Sequence, residues 1–137
     1  TMNILVIDAQ GGGIGRQLVT AIREKMAEAD ITAVGTNTVA TAAMLKAGAD
    51  NAATGENAVV GNTRRADVIV GPIGIVIADA MFGEITPRMA NAVAQSSAKR
   101  ILIPINHCDN MVVGVADLNI GRLIQCVIEE LCRLCDR

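Results

Sequence analysis

A chain of 137 residues is a single domain's length, and its 51% apolar content is enough to build a proper core. Its 12 basic and 14 acidic residues leave a net charge of −2 with no basic cluster, and it has no Trp, no Tyr and one Phe, which argues against nucleic-acid binding by phosphate neutralisation or base stacking. No apolar run approaches the roughly 20 residues of a membrane span and no secretory signal is found, so a cytoplasmic protein folding as one domain over residues 2–137 is expected, its four cysteines reduced.

The apolar run Ile4-Leu5-Val6-Ile7 reads as a buried first strand. It leads into the turn Asp8-Ala9-Gln10-Gly11-Gly12-Gly13-Ile14-Gly15, and a helix follows to about Ala29 with a core stripe of Ile14, Leu18, Ile22 and Met26. A second strand over 31–35 ends at Thr36-Asn37-Thr38, whose oxygens can cap a helix over 39–46 that stops at Gly48. Asn51-Ala52-Ala53 is a short third strand. Thr54 is expected to cap a helix running to about Arg65, and 67–71 is a buried fourth strand by its β-branched run.

Pro72-Ile73-Gly74 breaks that strand. The apolar stretch through Ile75, Val76, Ile77, Met81 and Phe82 is either a further core strand or a cover for a ligand or a partner subunit. Thr86-Pro87 starts a helix to about Ser97. Residues 101–105 form a fifth strand, 106–110 a polar turn, and 111–115 return antiparallel at the sheet edge. A last helix runs from about Leu118 to Leu134. Strands alternating with helices predict a three-layer α/β sandwich, mostly parallel, in strand order 3-2-1-4-5.

In such a sheet, ligands bind at the carboxyl ends of the strands near the switch between strands one and four. Four segments meet there: 8–15, Gly35-Thr36-Asn37-Thr38, Gly71-Pro72-Ile73-Gly74, and Asn106 with His107. Glycines at a helix start leave N–H groups free to face an anion. Asp8, Gln10, Gly11, Gly12, Gly13, Ile14, Gly15, Gly35, Thr36, Asn37, Gly71, Pro72, Ile73, Gly74 and Asn106 are therefore the candidate ligand-binding residues. The alternative is a glycine turn that serves only close helix–strand packing. Asp8 can serve a ligand or bond the N–H groups of its own turn. Glu84 reads as a solvated loop carboxylate more than part of a lid, and Glu56 as a residue complementing a helix dipole. Neighbours on a strand point apart, so His107-Cys108 is not a nucleophile–base pair. Cys132-x-x-Cys135 closes a helix and lacks the further ligands of a zinc site.

The turn ends in Gly13-Ile14-Gly15 and is similar to the G-x-x-x-G-x-G turn of short-chain dehydrogenases, with Ala9 in place of the first glycine. Residues 34–50 resemble the second βαβ unit of medium-chain dehydrogenases. No acidic residue ends strand two, where an NAD site would bond ribose, and the Tyr-x-x-x-Lys pair of the short-chain enzymes is absent for want of any tyrosine. Asp8-x-Gln10-Gly11-Gly12-Gly13-Ile14-Gly15, Gly35-Thr36-Asn37, Thr54-Gly55-Glu56-Asn57, Gly71-Pro72-Ile73-Gly74 and Gly83-Glu84-Ile85-Thr86-Pro87 together resemble a family of small bacterial proteins catalogued as a domain of unknown function. That resemblance implies a Rossmann-like fold and no established activity. The expectation is a homo-oligomer that binds a nucleotide, dinucleotide or other phosphorylated small molecule without complete dehydrogenase machinery. The alternatives are a small enzyme acting on a phosphorylated substrate, with Asp8, Asn37 and His107 as polar groups at a subunit interface, and a structural or interaction subunit.

Overall fold

The computed structural model describes residues 1–105, 109–115 and 119–136. Asn106, His107, Cys108 and the expected helix start at Leu118 lie outside the described residues. Strands β1 (Asn3–Asp8), β2 (Asp30–Gly35), β3 (Asn51–Thr54), β4 (Val68–Pro72) and β5 (Lys99–Ile103) form one sheet in the order β3-β2-β1-β4-β5, every pair parallel. Helices α1 (Gly13–Lys25), α2 (Thr38–Ala47), α3 (Glu56–Thr63), α4 (Pro87–Gln95) and α5 (Ile120–Cys135) cover its two faces. The expected strand order is the one observed.

Alternation along β1 sends Ile4 and Val6 to one face and Leu5 and Ile7 to the other. Ile4, Val6, Ile31 and Val70 pack with Leu18 and Ile22 of α1, Met44 of α2 and Leu131 of α5. Leu5, Ile7 and Ile69 pack with Val59 of α3 and with Met89 and Val93 of α4. A central strand buried on both sides needs a continuous apolar run, and Ile4-Leu5-Val6-Ile7 supplies it. The chain winds from β1 outward to β3, then crosses back to place β4 on the other side of β1. Asp8, at the carboxyl end of β1, therefore sits at the switch point.

The structure corrects several expectations. Residues 111–115 form no antiparallel edge strand. Gly114 has φ +90°, and Met111 and Val113 are 88% and 93% exposed, so nothing buries the alternating side chains a strand would need. β5 begins at Lys99 and stops at Ile103, because Pro104 has no N–H for the ladder. α1 ends at Lys25 instead of near Ala29. Arg23 gathers the carbonyls of Ala27, Ala29 and Gly48, and Asp30 N–H bonds Met2 O to begin β2. α3 is capped at Gly55 (φ +101°) and not by Thr54, whose hydroxyl is shared with Thr41 Oγ1 at 2.7 Å.

The stretch after β4 is no strand. A 3₁₀ turn (Ile73–Val76) leads into successive tight turns in which Ile75, Ala80, Met81 and Ile85 are buried against Leu5, Ile7 and Ile69. Phe82 points outward, 99% exposed, and Val76 and Ile77 are partly buried. The apolar residues of this loop therefore close one end of the core at the carboxyl edge.

Thr86 and Pro87 start α4 as the sequence predicts. Thr86 Oγ1 accepts the Met89 N–H at 3.1 Å and donates to Glu56 Oε1 at 2.7 Å. Thr86→Ala should cost about 1 kcal/mol in urea denaturation, whereas Thr86→Ser should restore most of it.

Candidate functional site

The turn after β1 has two kinds of glycine. Gly12, the N-cap of α1, has φ +75°, and a Cβ there would lie 2.7 Å from Ala40 Cα. A Cβ on Gly15 would lie 2.5 Å from Met44 Sδ and 2.9 Å from Asp8 Cβ. Both are glycine because α1 and α2 approach too closely for a side chain. Gly35 and Gly71 are the same case, against Thr41 N and Ile7 O at 2.5 Å. Gly11 and Gly13 differ: both are exposed, and nothing lies within 4 Å of where their Cβ atoms would stand. Ile14 is buried in the core and contributes only its backbone to the turn.

Asp8 is 3% exposed, and its Oδ2 accepts the Gly15 N–H at 2.7 Å. Burial raises its pKa above the usual carboxylate value, opposed by the N–H groups of Gly15 and Ala9, with the Glu84 charge adding to the rise. Its local partner is therefore the third residue of α1, and it serves as an internal cap on that helix. The N–H groups of Gly13 and Ile14, ahead of it in the first turn, have no acceptor among the described residues.

At the end of β2, Asn37 caps α2 by accepting the Ala40 N–H at 2.9 Å and donates from Nδ2 to Gln10 O at 2.9 Å. Here the structure brings in a residue that sequence reasoning placed in solvent. Glu84 Oε1 accepts three hydrogen bonds, from Thr36 Oγ1 at 2.6 Å and from Gln10 N–H and Asn37 Nδ2 at 2.9 Å each. Partial burial acts to raise the Glu84 pKa, but the bonds from Thr36, Gln10 and Asn37 together hold it below its ordinary value. The only sequence signal was its place in Gly83-Glu84-Ile85-Thr86-Pro87, between a left-handed turn and a capped helix.

Of the sequence-predicted residues, Asp8 through Gly15, Gly35, Thr36 and Asn37 are brought together. Gly71 and Pro72 end β4 next to β1, while Ile73 and Gly74 belong to the 3₁₀ turn, with Gly74 O accepting the Ile77 N–H. Asn106 lies outside the described residues. A groove of about 310 Å³ lined by Asn3, Thr32, Asn51 and Arg65 lies at the amino ends of the strands, away from all of these groups. Cys132 is partly buried at the end of α5, and Cys135 is exposed with its sulfur 3.9 Å from Met2 Sδ. Among the described residues no group of three His, Cys, Asp or Glu could hold a metal ion, and no helix is long and apolar enough to cross a membrane.

The family model described as "Domain of unknown function" (DUF3842) matches residues 3–136, and the chain belongs to that family. No curated protein matches it. Among solved structures, the dodecameric FMN-dependent Ubix-like decarboxylase from Escherichia coli O157:H7 is similar, with a TM-score of 0.50 and 19% identity over 94% of this chain and 75% of that one. That likeness is one of fold, and it agrees with the Rossmann-like architecture described above.

Proposed function

We propose that this protein binds a nucleotide or another phosphorylated small molecule at the carboxyl edge of the sheet, with the phosphate at the start of α1. The observation that carries this reading is the openness of Gly11 and Gly13. Packing explains Gly12 and Gly15, but it requires no glycine at the two exposed positions. An anion approaching there would meet the N–H groups of Gly13 and Ile14 and the positive end of the α1 dipole. The nucleotide is bound without the complete machinery of a short-chain dehydrogenase, since the chain has no tyrosine for its Tyr-x-x-x-Lys pair. Self-association accompanies binding, with Val39, Leu45 and Phe82 as exposed apolar contacts.

A second reading, a structural or interaction subunit, draws on the close contacts of Gly12, Gly15, Gly35 and Gly71 and on the bond from Gly15 N–H to Asp8. An enzyme using Asp8 draws less support, because that carboxylate is buried on its own helix.

A thermal-shift panel of nucleoside mono- and diphosphates, dinucleotides, FMN, sugar phosphates and inorganic phosphate separates the readings. A true ligand at 100-fold excess over its Kd should stabilise the fold by about 2.7 kcal/mol. A panel without a single stabilising member would leave only the structural reading. Native mass spectrometry of the same sample reports the oligomeric state.

A further inference from the structure

We propose that Glu84 is the site's hydroxyl acceptor, taking the vicinal diol of a ligand's ribose on Oε2 while Oε1 stays bonded to the protein; this rests on the nucleotide reading above. In dinucleotide-binding sheets, a carboxylate at the end of the second strand bonds the ribose hydroxyls. The residues that end β2 here, Gly35, Thr36 and Asn37, include no acid. A carboxylate nevertheless stands there, because Glu84 reaches Thr36 and Asn37 from a loop 48 and 47 positions further along the chain.

The bonds to the protein all fall on one of its two oxygens. A carboxylate has about four lone-pair sites on two oxygens. Oε1 is filled by the Gln10 N–H, the Thr36 hydroxyl and the Asn37 amide, while Oε2 accepts nothing from the described residues. An ionised carboxylate only accepts, so the ligand group beside Oε2 must be a donor and cannot be the phosphate. Two hydroxyls on adjacent carbons match its two remaining lone pairs.

Glu84 is also held in place before any ligand arrives. Its own N–H bonds Met81 O at 3.2 Å, and Met81 and Ile85 are 3% and 1% exposed. Asn37 is fixed by capping α2. Such preorganisation lowers the ordering cost of binding. Displacement of Glu84 by a ligand anion would instead break three charge-assisted bonds at once.

The test uses the full chain with ribonucleoside 5′-monophosphates, their 2′-deoxy counterparts and inorganic phosphate, measured by calorimetry. The expected result is about tenfold tighter binding of the ribo form by the wild-type protein. Glu84→Gln should keep its amide oxygen on the three donors, retain the fold by circular dichroism, and turn the Oε2 position from acceptor to donor. It should reduce the ribo preference to within about twofold and weaken the 2′-deoxynucleotide, which still offers its 3′-hydroxyl, by less than it weakens the ribo form. Nucleotides bound equally in ribo and deoxy forms would overturn the assignment to Glu84 and leave the nucleotide reading intact. Phosphate bound more tightly by Glu84→Ala than by Glu84→Gln, which lacks the same charge but keeps an oxygen on the three donors, would also overturn it, by making Glu84 an internal occupant of the anion position. Failure of every nucleotide to bind the wild type would remove the assignment to Glu84, and failure of inorganic phosphate as well would remove the anion reading of the turn.

Discussion

Gly15→Val is expected to destabilise the fold by several kcal/mol, while Gly11→Ala and Gly13→Ala leave stability within about 0.5 kcal/mol of wild type or raise it. The Cβ of residue 15 would fall 2.5 Å from Met44 Sδ and 2.9 Å from Asp8 Cβ. Met44 is wholly buried among Leu18, Ile31 and Ala33, so its sulfur has little room to retreat. Asp8 Cβ belongs to the central strand, where Asp8 is paired with Gly35 of β2. α1 would have to lift away from β1, which stretches the 2.7 Å bond from Gly15 N–H to Asp8. Overpacking costs about 1–3 kcal/mol and the orphaned N–H at a buried carboxylate about 1–3 more. Gly11 and Gly13 are exposed, have no positive φ and meet nothing. Urea denaturation of the three variants reads the contrast directly, and equal losses at all three positions would contradict it.

The same contrast decides where a binding mutation belongs. Gly12 combines φ +75° with a Cβ position 2.7 Å from Ala40, so an acidic residue there would unsettle α1 and α2 whatever it did to a ligand. Gly13→Asp is cleaner. An acidic side chain in the first turn suits the helix dipole, and its charge faces the proposed phosphate position.

Local pattern carried most of the fold. The run at Ile4–Ile7, the fourfold spacing of Leu18 and Ile22, the Asn37 cap and the Thr86-Pro87 start all depend on neighbours within a turn or two, and all are observed. The failures share a different cause. Residues 111–115 have a strand's apolar character, but strand formation needs a partner edge and buried neighbours, which no local pattern encodes. The loop from Ile73 to Ile85 reads as ambiguous because its apolar side chains bury individually from turns, without period 2 or 3.6. Glu84 was illegible for the same reason. Its three donors lie 74, 48 and 47 positions away, and they meet only because β1 and β2 end side by side at the switch point. The candidate edge could be read from the sequence, but its acid could not.

Asp8→Asn should raise stability at neutral pH, and Asp8→Ala should lower it by about 1–3 kcal/mol. Burial holds the folded-state pKa of Asp8 above the value of 3.8 expected for an unperturbed Asp. A raised carboxylate pKa means that the folded state binds the proton more tightly than the unfolded chain. The resulting contribution to stability is fully present below the unfolded pKa and is lost as pH rises through the folded one. At neutral pH the buried charge therefore costs stability, which the uncharged amide of Asn does not incur. Its oxygen can still accept the Gly15 N–H. Alanine removes the charge as well but abandons that N–H inside the protein. The advantage of Asp8→Asn should vanish as pH falls below about 4. Glu84 works in the opposite sense: its pKa is lowered, so its contribution is present above the unfolded value and lost as pH falls through the folded one. Comparing Asp8→Asn with wild type at each pH cancels that second effect. If Asp8 is an internal helix cap, Asp8→Asn keeps whatever nucleotide affinity the wild type shows. Loss of binding in a variant that is more stable than wild type would place the carboxylate in contact with the ligand, and the second reading of the turn as packing alone would fall with it.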